Sequence, residues 1–304
     1  MANISKVFSA ELDGIDARLI EVETDVNVGL HSFTIVGLAD KALSEAKERV
    51  NSALKNVGVK PPNRENRKIV VNLAPADVKK NGSQYDLAIA VGYLLATEQI
   101  KKFDPKGAVF LGELSLGGKL RPISGALSIA YASKKSGARH LFVPEANAAE
   151  AAMVEGLEIF PATDLRELIN HLEDRILISQ QPLTAIETAA HSPFHDISEI
   201  KGQGHAKRAL AIAAAGGHNI LLQGPPGTGK TMLAQALASI LPPPTLDEMI
   251  EITKIWSSAG LLKERACMNF RPFRSPHHTA SAPAVVGGGG NPRPGEISLA
   301  HRGV

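Results

Sequence analysis

Gly224-Pro225-Pro226-Gly227-Thr228-Gly229-Lys230-Thr231 is the stretch on which the reading of this chain turns. Two glycines spaced by four residues, then Lys and Thr, form the pattern of a phosphate-cradling loop. Glycine tolerates φ > 0 and lets the backbone approach a phosphate closely. Successive N–H groups then make an anion nest at the start of a helix. Lys230 would set a point charge on the β- and γ-phosphates of ATP, the catalytic role expected of it. The Thr231 hydroxyl would hold Mg²⁺.

The flanks agree. His218-Asn219-Ile220-Leu221-Leu222-Gln223 holds a short apolar run suited to a buried parallel strand. Leu233, Leu237, Ile240 and Leu241 share one helical stripe, and Pro242-Pro243-Pro244 ends it. Strand, loop and helix are the setting in which the motif works.

At 304 residues the chain has length for about two domains. Its 44% hydrophobic and 21% charged content is that of a soluble globular protein. Aromatics at 4% are too few for an aromatic-lined nucleic-acid platform. A lone cysteine, Cys267, allows no internal disulfide and fits a reducing compartment. The N-terminus has no signal-peptide core, and no apolar run is long enough to span a membrane, so a cytoplasmic protein is expected. Charge is uneven. Residues 199–304 carry 11 Lys/Arg against 6 Asp/Glu, whereas 1–198 carry 22 against 25. The second part therefore favours an anionic partner, of which the nucleotide is one.

Residues 1–172 read as one α/β domain. Strands are expected at Lys6–Leu12, Ala17–Thr24, Ser32–Val36 and Lys68–Leu73. Asp40 is placed to cap a helix with Leu43, Ala46, Val50, Leu54 and Val57 on one stripe, closed by Gly58. Asp86–Ala96 is apolar enough for a buried helix, and Val109–Leu116 with Lys119–Arg121 suggests a hairpin about Gly117-Gly118. Ser124 is expected to cap a helix that Gly137 closes. Strands at Arg139–Val143 and Leu157–Phe160 and a helix over Asp164–Leu172 follow. This irregular alternation points to a mixed sheet.

Gly82–Ala90, Gly112–Gly118 and Arg121-Pro122-Ile123-Ser124-Gly125 give this stretch a resemblance to the proteolytic domain of Lon. The resemblance implies a Ser nucleophile activated by a Lys. By motif position the nucleophile falls at or beside Gln84 and the base at Leu127. Gln cannot attack and Leu cannot accept a proton. Ser83 with Lys79 or Lys80 would serve only after a register slip. The domain therefore reads as a Lon-like α+β fold whose dyad is gone, kept for assembly or binding.

Residues 173–198 lack periodic pattern and read as a linker, with Ile176-Leu177-Ile178 apolar enough to pack on the first domain. The remainder, 199–304, opens with Ile200-Lys201-Gly202-Gln203-Gly204-His205-Ala206-Lys207-Arg208-Ala209 and an Ala-rich helix. A helix just before the phosphate-loop strand resembles the arrangement of AAA+ ATPases, which implies that Ile200 and Gly202 lie against the adenine.

Together with Gly224–Thr231 and Arg271-Pro272-Phe273-Arg274-Ser275-Pro276-His277-His278-Thr279, these features resemble the ComM/YifB family along the whole chain. These are magnesium-chelatase-like AAA+ ATPases. The resemblance implies ATP and Mg as cofactors, a hexameric homo-oligomeric ring in the bacterial cytoplasm, and branch migration of DNA during natural transformation. Nothing marks a porphyrin site.

Arg271, Arg274, His277 and His278 lie in a stretch rich in Pro, Ser and Thr, followed by Gly287-Gly288-Gly289-Gly290-Asn291. They are candidates for DNA or ring-pore contact through phosphates. A metal at His277-His278 is a further reading, with no zinc-like partner spacing to support it; a plain solvated loop is another. Hydrolysis needs an acidic residue on a neighbouring strand, and Glu251 in Met249-Ile250-Glu251-Ile252 matches that poorly. The family pattern places the acidic strand just after Gly295–Val304. The expected fold is thus a mixed-sheet Lon-like domain followed by an incomplete parallel-sheet AAA+ domain that by itself does not hydrolyse ATP. The alternative is a nucleotide-responsive assembly or protein-binding module.

Overall fold

Two long strands start the chain because apolar and small residues alternate along them. In the computed structural model, which describes all residues except 1–2, 38–40, 65, 78–79, 81, 187–194, 264 and 289–291, β1 (Asn3–Asp13) and β2 (Asp16–Val28) pair antiparallel along their length. Ile20, Val22, Thr24 and Val26 point to one face and are buried. β3 (Ser32–Val36) lies parallel to β4 (Arg67–Ala74), which pairs antiparallel with β2. On the other side of β1, β5 (Ala108–Phe110), β8 (His140–Pro144) and β9 (Glu158–Ala162) run parallel to it. The order is β3-β4-β2-β1-β5-β8-β9, a mixed seven-stranded sheet. β6 (Glu113–Leu114) and β7 (Leu120–Arg121) form a separate small ribbon.

Helices α1 (Lys41–Val57), α2 (Asp86–Ala96) and α5 (Leu165–Leu172) share a core with Val7, Val22, Val71 and Leu73. Every residue of α2 is buried. Each large apolar side chain so removed from water contributes about 1.5–3 kcal/mol before the cost of ordering it. Gly92 lets α2 lie tight on the sheet, because a Cβ there would meet Thr24 Oγ1 at 2.7 Å. Helices α3 (Ala126–Lys135) and α4 (Glu145–Ala151) pack on each other, α3 also against β1 and β2 and α4 against β8 and β9. An aromatic ladder of Phe110, Phe142 and Phe160 crosses β5, β8 and β9, with stacked centroids 4.9 and 5.1 Å apart.

Two expectations change. The hairpin is divided: Ala108–Phe110 joins the main sheet, and only Glu113–Leu114 pairs with Leu120–Arg121. Gly112 makes the break, with φ 152° and a Cβ position 2.6 Å from Leu120 Cδ2. Ser124 does not cap α3. Gly125 occupies the cap at φ 74°, and α4 supplies the acceptor instead, Glu150 Oε1 receiving the Leu127 N–H at 2.8 Å. The Asp40 cap lies outside the described residues. Residues 175–184, read as linker, carry no helix or strand and run along the first unit. Ile178 is buried, and the Gln181 and Thr184 N–H groups donate to the Ile159 and Ala152 carbonyls at 2.8 and 3.0 Å.

Contacts divide the chain into Met1–Thr184 and Ala185–Val304. In the second unit a capping box of Asp196 and Glu199 opens a short 3-10 turn. α6 (Gly204–Gly216) and α7 (Lys230–Ile240) pack together through Leu210, Ala214, Leu233, Ala236 and Leu237, with Ile200 in the same cluster. α8 (Leu246–Ser258) begins at a Thr245/Glu248 capping box. Short elements α9 (Ala282–Val286), β10 (Gly287–Gly288), β11 (Arg293–Pro294) and α10 (Glu296–Leu299) complete the unit. The expected strand at His218–Gln223 has no ladder partner among the described residues. Its burial still alternates, Ile220 and Leu222 packing inward while Leu221 stands 88% exposed. A segment with the side-chain period of a strand becomes one only when a neighbour takes its N–H and C=O groups.

Candidate functional site

The phosphate loop is built from local backbone geometry. Gly227 and Gly229 take φ 81° and 85°, and Gly229 is the N-cap of α7 with no side-chain cap. No hydrogen bond within the described residues engages the N–H groups of Gly227, Thr228, Gly229, Lys230 or Thr231. They stand at the positive end of an eleven-residue helix, the arrangement that favours an anion. Lys230 Nζ bends back over the loop and donates to the Gly224 and Pro225 carbonyls at 2.9 and 2.7 Å. Thr228 Oγ1 donates to the Pro225 carbonyl at 3.0 Å, closing the turn. A Cβ on Gly224 would meet that hydroxyl at 3.4 Å. Gly224, Pro225, Pro226, Gly227, Thr228 and Thr231 are exposed, so a ligand has access. Glycine backbone, free N–H groups, the Lys230 ammonium and an exposed threonine hydroxyl fit a magnesium nucleoside triphosphate. Among the described residues no group of three or more His, Cys, Asp or Glu could hold a metal ion.

Ile200 is buried against α7, whereas Gly202 is exposed with φ 65°. Gln203 follows at φ 54° as the N-cap of α6. Lys207 holds this turn by donating to the Ile200 carbonyl.

Arg271 and Arg274 are drawn inward instead of lining a free loop. Arg271 donates through Nε to the Pro242 carbonyl (2.5 Å), through Nη1 to the Arg302 carbonyl (2.7 Å) and through Nη2 to Glu248 (2.9 Å). Arg274 forks onto Glu296 at 2.5 and 2.7 Å and lies over the Trp256 ring, 5.7 Å from its centroid. Trp256 Nε1 donates to the Leu299 carbonyl at 3.1 Å. Proline and serine around these arginines suggested exposure; the carboxylates that hold them lie more than twenty residues away and left no local signal. His277 and His278 are exposed, with centroids 4.2 Å apart and His277 Nδ1 bonded to Thr279 Oγ1 at 2.7 Å. Glu251 lies on α8, tied to His301 at 3.1 Å and Arg302 at 3.0 Å.

In the first unit, Gln84 Nε2 donates to Glu11 at 2.9 Å and Leu127 is fully buried. Lys79 lies outside the described residues. Lys80 is buried, and its ammonium donates to the Pro75 carbonyl. Ser83 Oγ donates to Glu113, whose other oxygen accepts from Arg121 at 2.9 Å. Although burial alone raises it, the bonds from Ser83 and Arg121 leave the Glu113 carboxyl below the usual range, which makes it a weak base. Among the described residues, the Lys80 ammonium is turned to the Pro75 carbonyl, and the group that receives the Ser83 hydroxyl is this weak base. Beside it, buried Asp86 accepts from Arg49 and from the Leu114 N–H at 3.1 Å, a pairing across 37 residues that sequence reading missed.

A Gly-rich loop with left-handed glycines sits at the N-terminus of α7, and α6 packs on that helix; this is the geometry of a phosphate loop. A family model for magnesium chelatase, subunit ChlI, matches residues 196–304, and one for subunit ChlI of Mg-chelatase matches 22–147. The chain is 43% identical to YifB of Salmonella typhimurium over 291 residues, covering 96% of this chain and 56% of that protein. It is 42% identical to the competence protein ComM of Haemophilus influenzae over 311 residues, covering 99% and 59%. Lon protease of Rhizobium meliloti is 25% identical over 166 residues, 52% of this chain and 20% of that one. The chain belongs to the ComM/YifB family of magnesium-chelatase-like AAA+ proteins. It spans 56–59% of the length of these two relatives. No helix among the described residues is long and apolar enough to cross a membrane.

Proposed function

We propose that the chain binds ATP with Mg²⁺ at Gly224–Thr231 and belongs to a cytoplasmic, ring-forming ATPase that remodels DNA, acting in branch migration of transforming DNA. The observation that carries the first half is the pair of left-handed glycines at the head of α7, with five N–H groups free to take a phosphate. Bound Mg²⁺ would neutralise phosphate charge as it develops; Thr231 would hold it and Lys230 would brace the β- and γ-phosphates. Ile200 and Gly202 would bear on the base. We read residues 1–172 as a Lon-like domain without its dyad, 173–198 as the connection and 199–304 as AAA+ sequence. Glu251 is committed to His301 and Arg302, so we do not assign it the metal-holding role of a hydrolytic acid.

The DNA half rests on the relative named a competence protein and on the basic balance of residues 199–304. His277 and His278 are the exposed members of the proposed contact set. The internal pairing of Arg271 and Arg274 favours a second reading, a nucleotide-responsive module that assembles with protein partners. DNA binding by the protein at two salt concentrations, with and without ATP, separates them. Nucleotide-dependent, salt-sensitive binding supports the motor. Binding that ignores both nucleotide and salt, or none at all, supports the module.

A further inference from the structure

Residues 175–184 form a strap across the edge of the first unit, and its fastening is unusual. The Ile178 N–H donates to His171 Nδ1 at 3.0 Å, the last turn of α5 thereby holding the strap through a titratable ring. That ring packs against Phe142 at 5.3 Å and Phe160 at 5.0 Å, the end of the aromatic ladder. Asp174 turns the chain into the strap at φ 57°. Beyond Ile178 the strap is held by the Gln181 and Thr184 N–H bonds and by Thr184 Oγ1 on the Ala149 carbonyl at 2.6 Å. Its other large apolar residues, Ile176, Leu177 and Leu183, are exposed by 65, 67 and 61%. Few buried contacts secure it, so the bond to His171 carries an outsized share of the attachment.

A ring nitrogen accepts a hydrogen bond only while it is unprotonated. We propose that His171 is the clasp of a pH-sensitive strap: the neutral ring holds residues 176–184 on the first unit, and protonation at Nδ1 sets two donors face to face and releases them. The surroundings bear on the same ring. Asp174 draws a proton toward it but is itself paired with Lys101 at 2.7 Å. Glu173 is engaged with Arg175 at 3.1 Å. His140 on β8 opposes a second positive charge and is paired with Glu158 of β9 at 3.0 Å. Burial, the largest influence, and His140 hold His171 below its ordinary value of 6.5 against the pull of Asp174. The closed strap is thus fully favoured above about 6.5 and loses ground as pH falls toward the depressed value of the closed state. Residues 185–304 follow the strap in sequence, so its release detaches from the first unit the stretch that immediately precedes the second.

Hydrogen exchange of the 304-residue protein between pH 7.5 and 5, corrected for intrinsic rates, tests this. Opening of the Ile178, Gln181 and Thr184 amides should rise as pH falls below about 6.5, by at most about tenfold per pH unit. His171→Asn, which keeps an acceptor at the Nδ1 position and takes up no proton, should make those amides insensitive to pH. A pH-independent strap in the wild type overturns the proposal, as does unchanged pH dependence in His171→Asn. If that variant fails to fold, ring nitrogen shifts of wild-type His171 decide: a midpoint shared with the strap amides supports the clasp, and separate midpoints refute it.

Discussion

Arg49 grips Asp86 with a fork, Nε at 2.6 Å from one carboxylate oxygen and Nη2 at 3.0 Å from the other, and the carboxylate is wholly buried. Burial pushes the Asp86 carboxyl up to about 6, outweighing Arg49 and the Leu114 N–H that favour its charge. Its folded-state value lies above the unfolded one, so its contribution to stability is complete below the unfolded value of 3.8 and is lost as pH rises through about 6. The change amounts to roughly 3 kcal/mol at most. Arg49→Met leaves a buried, unpaired charge at pH 8, costing about 3–5 kcal/mol. At pH 5, where Asp86 carries a proton, the loss should be much smaller. Urea denaturation at the two pH values checks this; equal losses would contradict it.

Lys230→Ala should weaken binding of a fluorescent ATP analogue by about 10- to 150-fold, the range for a bond to a charged phosphate of about 1.5–3 kcal/mol. Stability should hardly move, because the hydrogen bonds of the Lys230 ammonium among the described residues go to the Gly224 and Pro225 carbonyls of its own loop. Unchanged affinity would remove the loop from the site.

Gly125→Ala puts a methyl group 2.3 Å from Leu12 Cδ2 at a backbone angle of φ 74°. The left-handed backbone costs about 1–2 kcal/mol and the overpacking about 1–3. Thermal unfolding should register that loss in the first unit while nucleotide affinity is unaffected.

Arg274→Ala distinguishes a fastening from a DNA contact. As the partner of Glu296 and cover of Trp256, its loss should lower stability by about 1–3 kcal/mol. A pure phosphate contact would leave the melting temperature alone and reduce only salt-dependent DNA affinity.

What the sequence made legible was local. The phosphate loop, the stripe of α7 and the buried run of α2 each declare themselves within a dozen residues. Long-range partners were hidden. Asp86 gives no hint of Arg49, nor Arg274 of Glu296, because charge pairing across a fold has no fixed spacing. Cap residues misled for the same reason: Ser124 looked suited to α3, yet Glu150 on another helix satisfies the backbone there. His218–Gln223 shows the reverse case, a correct side-chain period without the neighbour that turns it into sheet.

Trp256 is the chain's single tryptophan, and it lies in the second unit. Its indole is tied to Leu299 and covered by Arg274. Intrinsic emission therefore comes from one address. Excited at the red edge, the protein reports on the second unit while the seven-stranded first unit stays dark, so ligand titrations and unfolding of the second unit can be followed without any added dye.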